Sequence, residues 1–218
     1  MKWDKDAFWT LIQEAKEHCG QDIDAHARWL KEKLVELGPE QAQNFHDVMH
    51  GYLDLAYKYG LWDAGSIMCE YGCTDDGFID FRAWLIAQGK EVYFAALKDP
   101  DSLADVPAYG GCYYETLCYV GDYAYQALTG KSAYDCTDRT AERKLREMLR
   151  QDIVYGEGIG YPYGGRDIPA YLPRLCSKYD VGTKLWMDIW NRESPNILRA
   201  MQQEKKHKRV EKKRGDCR

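Results

Sequence analysis

Four aspartates, Asp63, Asp75, Asp76 and Asp80, lie close together in the chain, and two of them are adjacent. Carboxylates gathered at the mouth of a helix can bind a hard cation such as magnesium or receive a basic group from a partner. The adjacent pair also has a simpler reading. In Thr74-Asp75-Asp76-Gly77 the threonine or an aspartate accepts a backbone N–H as N-cap, and the negative charge complements the helix dipole. Together such effects contribute on the order of 1–2 kcal/mol and need no ligand, so the cap is the first expectation. A second constellation is His46-Asp47-Val48-Met49-His50, with two imidazoles one helical turn apart. That is the spacing with which HExxH enzymes grip zinc, but Asp47 is one methylene shorter than their Glu base and no further ligand follows at the spacing of the metzincins. Solvent-facing imidazoles are expected here, and His46 and His50 remain the minor candidates for a metal. Nucleophilic catalysis finds little support, because no GxSxG elbow is present and Cys19, next to His18, points to another side of its helix. The run Tyr155-Gly156-Glu157-Gly158-Ile159-Gly160 is rich in glycine but follows a helix and lacks the terminal Lys-Ser/Thr of a phosphate loop.

The elements that must position these groups are helical throughout. Trp3, Phe8, Leu11, Ile12, Ala15 and Cys19 share one face of a first helix, with Asp4 as N-cap, Trp3 and Phe8 as a hydrophobic staple, and Gly20 as stop. Helices are predicted over about 22–37, from Pro39 along the Ala42, Phe45, Met49, Tyr52, Ala56 stripe to Gly60, over 62–71, 74–88, up to Lys98, 113–129 and 139–153. Alternating runs of strand length are missing, so the chain reads as all-α. In the 74–88 helix, Phe78, Ile79, Phe81, Ala83, Trp84, Leu85, Ile86 and Ala87 leave almost no polar face, which predicts a central buried helix surrounded by others. Trp62, Phe81, Trp84 and Leu85 are assigned to the core. Arg82 shares a face with Phe78 and Leu85, and a buried guanidinium needs partners; a carboxylate is expected, first from the Asp99-Pro100-Asp101 turn.

A chain of 218 residues with 45% hydrophobic residues can build one sizeable core. No apolar run reaches membrane-span length and no signal-peptide pattern opens the chain, so a cytoplasmic protein is expected. The eight cysteines are then free thiols, with no disulfide, and the CxxC spacing of structural zinc is absent. Charge is uneven. Residues 202–218 carry eight basic and three acidic side chains, a net of +5, which leaves −10 on the rest of a chain whose total is −5. An acidic body disfavours nucleic-acid binding, and the basic tail is expected to be a solvated helix or a disordered end.

The segment Leu61-Trp62-Asp63-Ala64 … Gly72-Cys73-Thr74-Asp75-Asp76-Gly77-Phe78-Ile79-Asp80-Phe81-Arg82-Ala83-Trp84-Leu85-Ile86-Ala87-Gln88-Gly89, followed by Ala96-Leu97-Lys98-Asp99-Pro100-Asp101-Ser102-Leu103-Ala104, resembles the core of the bacterial DUF4240 family. The similarity runs from Phe8-Trp9 to about Leu128-Thr129-Gly130, with a weaker echo at Leu172-Pro173-Arg174-Leu175. The resemblance implies membership but carries no activity, cofactor or residue role. The expected organisation is one helical domain over 1–195, containing the core motif 61–104 and a glycine- and tyrosine-rich loop at 155–171, followed by a basic tail over 196–218. With no catalytic set and 17 tyrosines, a type favoured at interfaces, the leading expectation is a non-catalytic recognition or regulatory module that meets another protein, without a cofactor. Its candidate site comprises Trp62, Asp63, Asp75, Asp76, Asp80 and Arg82. The alternative is a metal-assisted hydrolase or nucleotide-processing enzyme, which requires the aspartates to converge on one point.

Overall fold

The computed structural model describes residues 3–69, 72–136, 139–160 and 167–181. The basic tail and the loop residues 161–166 lie outside the described residues. Eight helices carry the fold: α1 (Lys5–Cys19), α2 (Ile23–Leu37), α3 (Pro39–Leu55), α4 (Tyr59–Met68), α5 (Asp75–Ala87), α6 (Lys90–Lys98), α7 (Glu115–Thr129) and α8 (Arg139–Arg150). Two short helices, α9 (Ile168–Tyr171) and α10 (Pro173–Lys178), follow, and no strand occurs among the described residues. The chain is all-α.

Local chemistry starts α1, α2 and α5 where the sequence predicts, whereas α4 begins at Tyr59, ahead of the expected Trp62. The Asp4 carboxylate accepts from the N–H groups of Asp6 and Ala7, Asp22 caps α2 through Ala25 N–H, and Thr74 Oγ1 caps α5 through Gly77 N–H at 3.1 Å. Trp3, expected to staple α1, sends its indole N–H to Asp47 on α3 at 3.0 Å. α3 stops at Leu55, short of the expected Gly60, because the chain turns at Ala56 to begin α4 at Tyr59.

Burial follows the apolar stripes. α5 is buried from Phe81 to Ala87, and Trp62, Phe81, Trp84 and Leu85 all stand in the main core. Its first turns are less enclosed than their composition predicts, since Ile79 is exposed. α3 forms a second buried axis, enclosed almost continuously from Ala42 to Leu53 with α1, α2, α5, α7 and α8 packed around it. α7 meets it at a glycine. A Cβ on Gly121 would stand 2.8–2.9 Å from the backbone N, Cα and Cβ of His46, so only glycine lets the two helices meet there.

The partner of Arg82 corrects the expectation of a carboxylate. The side chain is only 5% exposed. Its Nε–H donates to the Phe78 carbonyl at 3.1 Å and its Nη1–H to the Leu53 carbonyl at 2.6 Å. Its guanidinium carbon also sits 4.9 Å from the Tyr57 ring centroid and 4.8 Å from that of Phe78. Leu53 lies in the last turn of α3, whose final carbonyls lack intrahelical donors and carry the negative end of the helix dipole. A cation at that position is therefore favoured without an acidic partner. The same helix end receives two phenolic hydroxyls, Tyr93 to the Tyr52 carbonyl at 2.6 Å and Tyr155 to the Leu55 carbonyl at 2.7 Å. Asp101 is occupied elsewhere, accepting the N–H groups of Arg174 and Leu175 at the start of α10.

The described part of the tyrosine-rich loop is packed down. Besides the Tyr155 hydroxyl bond, Gly156 N–H reaches the Leu97 carbonyl and Gly60 N–H reaches the Ile159 carbonyl, while Lys58 and Arg150 lie over the Tyr155 ring. Seven cysteines of the described residues are free thiols. No helix among the described residues is long and apolar enough to cross a membrane.

Candidate functional site

The four aspartates read as a possible cation site do not converge. Asp63 is buried within α4, Asp75 and Asp76 are exposed on the first turn of α5, and Asp80 is half-buried one turn further on. Burial, together with the charges of Glu115 and Asp76, raises the Asp80 carboxyl to about 6. Among the described residues no group of three or more His, Cys, Asp and Glu side chains is placed to hold a metal ion. Of the other candidates, Trp62 is a strut of the core: its indole N–H donates to the Cys73 carbonyl at 2.7 Å and its ring stacks on Phe78 at 4.8 Å. Arg82 braces the end of α3. The six residues of the expected site are thus distributed between core and surface, and the cap reading of Thr74-Asp75-Asp76 is the one seen.

The histidine pair occupies a different environment from the solvent expected for it. His46 is only 3% exposed, and with His50 it lines a cavity of about 240 Å³ together with Asp47, Gly51, Asp54, Tyr134, Glu142, Leu145 and Arg146. The rings of His46 and His50 lie 4.5 Å apart. Tyr134 meets His46 edge-on at 4.3 Å and its hydroxyl bonds His50 Nε2 at 3.1 Å. Desolvation lowers His46 to about 4, reinforced by His50 and opposed by Asp47 and Asp122. His50 is also lowered, first by burial, against the opposing effects of Asp54 and the Cys118 carbonyl. Both rings are neutral at neutral pH, each offering one donor and one acceptor. The Nδ1 atom of His46 is buried with no hydrogen-bond partner.

Other polar contacts hold this arrangement in place. Asp47 receives the Trp3 indole and the Gln43 amide, at 3.0 and 2.8 Å. That same amide reaches the Ala133 carbonyl at 3.1 Å, and Asp122 on α7 accepts from Ala133 N–H and the Ser132 hydroxyl at 2.7 and 2.8 Å. The short 3-10 helix Ala133–Cys136 is thereby tied to α3 and α7, with Tyr134 over the imidazoles. The far wall comes from α8, where Arg146 pairs with Asp54 at 3.1 Å. A Cβ on Gly51 would meet Leu149 Cδ1 at 2.6 Å, a contact with a side-chain end that a shift of the leucine relieves.

Beside the cavity the surface is aromatic. Tyr119 and Tyr123, one turn apart on α7, are exposed with ring centroids 6.0 Å apart, and Tyr134 is exposed on its outer side. Burial raises Tyr134 to about 12, with Tyr119, Asp122 and Tyr123 contributing, so the three phenols stand within electrostatic reach of one another. The His46–His50 spacing is visible in the sequence; its enclosure by Tyr134 and α8 has no local sequence signal.

No curated protein and no solved structure matches the chain. Residues 3–127 match the family described as a protein of unknown function (DUF4240), and over this span, more than half of its length, the chain belongs to that family.

Proposed function

We propose that the chain works inside the cell as a protein-recognition module, and that its contact face is the tyrosine-bearing side of α7 with the adjoining cavity. One observation carries this reading: three tyrosines, Tyr119, Tyr123 and Tyr134, are exposed within electrostatic reach of one another, and Tyr134 lines a formed concavity. Exposed tyrosine supplies broad, rigid contact area with a polar tip, and aromatic anchors beside a pocket are the usual composition of an interface hot spot. The charge around the ridge indicates the partner. Asp54 and Glu142 line the cavity with Tyr134, and Glu115 and Asp80 lie within electrostatic reach of Tyr119, on a body whose net charge is −10 without the tail, so the complementary surface is basic. Seven free thiols fit a reducing compartment.

Affinity capture from a native lysate tests the reading with three forms of the full chain. Wild type and Asp75→Ala/Asp76→Ala are expected to retain the same partner, and Tyr119→Ala/Tyr123→Ala to lose it while keeping its helical circular dichroism. Equal recovery by all three forms, or no specific partner with any, would count against this face.

A further inference from the structure

Three buried thiols, Cys69, Cys73 and Cys112, gather at the turn between α4 and α5. Cys69 is the C-cap of α4, and Cys73 immediately precedes Thr74, the N-cap of α5. Between them the chain folds back: Gly72 N–H bonds the Cys69 carbonyl at 3.1 Å, with Gly72 in the left-handed region at a φ of 81°. Two further bonds fix the returning segment. The Tyr113 hydroxyl donates to the Gly72 carbonyl and the Trp62 indole N–H to the Cys73 carbonyl, both at 2.7 Å. The turn brings the Cys69 and Cys73 thiols into a mutual hydrogen bond. Cys112 is held with its Sγ 4.0 Å from the Met68 carbonyl. Among the described residues no three His, Cys, Asp or Glu side chains are placed to hold a metal ion, and what remains is the chemistry of a thiol pair.

We propose that Cys69 and Cys73 form a reversible modification site, which hydrogen peroxide converts to an intramolecular disulfide. The two members are unequal. The hydrogen bond from Cys73 lowers Cys69 against the opposing effect of burial, while the same bond and burial raise Cys73. The thiolate is the nucleophile, so Cys69 supplies the attacking sulfur and Cys73 keeps its proton until the second step. In the first step the Cys69 thiolate attacks one peroxide oxygen: an S–O bond forms, the O–O bond breaks, and the departing hydroxide becomes water with the proton that Cys69 gave up. In the second, the Cys73 sulfur attacks the sulfenic sulfur: the S–S bond forms, the S–O bond breaks, and the departing hydroxyl leaves as water with the Cys73 proton. The pair loses two electrons and the peroxide gains two. Burial, reinforced by Cys69, raises Cys112 to about 12, so this third thiol stays protonated and does not take part. Cys69 and Cys73 are 3% and 5% exposed, beside the exposed Thr74, which suits an oxidant close to water in size.

This site stands independently of the recognition face. To test it, the full-length protein is reduced, freed of reductant, treated with hydrogen peroxide at neutral pH, unfolded in iodoacetamide and digested with trypsin. Cleavage after Lys58 and Arg82 releases residues 59–82, which contain Cys69 and Cys73 and no other cysteine. The expected product is this peptide with both thiols lost to alkylation and a mass lower by two hydrogens, reversed when dithiothreitol precedes the alkylation. Cys73→Ser is expected to form no disulfide and to stop at a sulfenic acid on Cys69, which dimedone traps. Cys112→Ser is expected to form the disulfide as wild type does. Alkylation of both thiols in the treated wild-type peptide, or a disulfide joining either of them to Cys112 or to another cysteine, overturns the assignment. So does a Cys69→Ser variant in which dimedone labels Cys73 as readily as it labels Cys69 in Cys73→Ser, because the two sulfurs would then have no separate roles.

Discussion

Arg82 sits in the core on carbonyl oxygens and aromatic rings, and its charge is matched to the end of a helix. Truncation to alanine opens a void and leaves the Leu53 carbonyl without its donor, so Arg82→Ala is expected to lower the unfolding free energy by about 3 kcal/mol in urea titration. Arg82→Met, which refills the volume but not the charge, should fall between alanine and wild type. A variant as stable as wild type in both cases would show that the carbonyl contacts contribute little. The burial of Arg82 is legible in the sequence because its helical neighbours Phe78 and Leu85 are apolar. Its partner is not, because acidic side chains are visible in a sequence and the free carbonyls at a helix end are not. The same limit applies to His46 and His50. Their spacing is local, but their enclosure depends on Tyr134, which is 84 residues from His50. The aspartates fail as a site for the opposite reason: adjacency along the chain concentrates charge without bringing the carboxylates to one point.

Where two helices meet, one atom can decide the distance. α3 and α7 touch at His46 and Gly121, and α7 carries both Asp122, which ties down the turn bearing Tyr134, and the exposed Tyr119 and Tyr123. Gly121→Ala improves helix propensity by roughly 1 kcal/mol, but the added methyl meets backbone and must force the helices apart, with a cost of about 1–3 kcal/mol. The clash is expected to win. Thermal unfolding should fall by several degrees, and the His46 and His50 ring resonances should shift, because the cavity wall moves with the helix. A gain in stability would mean that the interface has slack. Helix existence and starts are largely readable here, since Asp4, Asp22 and Thr74 announce themselves by type and position. The end of α3 is harder to read: the apolar stripe continues past Leu55, and the side chains that donate to its last carbonyls come from α5, α6 and the loop after α8.

For the molecule as a whole, two neutral imidazoles in the core couple folding to acidity. Burial lowers His26 and His46 from 6.5 to about 4. Between those values the unfolded chain binds protons that the native state refuses, so their contribution is complete above about 6.5 and is lost as pH falls toward 4. The loss is up to about 3 kcal/mol for each ring. Asp80 acts in the opposite sense, because its raised carboxyl, at about 6, keeps a proton in the native state that the unfolded chain has released. The histidines outweigh it, being two and more deeply buried, so urea unfolding at about pH 5 is expected to show a lower free energy than at neutral pH. An unchanged midpoint would contradict neutral, buried rings. The cavity around His46 also has walls of different standing. Its inner wall, from His46 to Asp54, lies within the stretch that matches the family, whereas Tyr134, Glu142, Leu145 and Arg146 follow after residue 127. Substitutions in the outer wall can therefore reshape the cavity without touching the α3–α7 contact, so its shape and the packing of the family core are set by different parts of the chain.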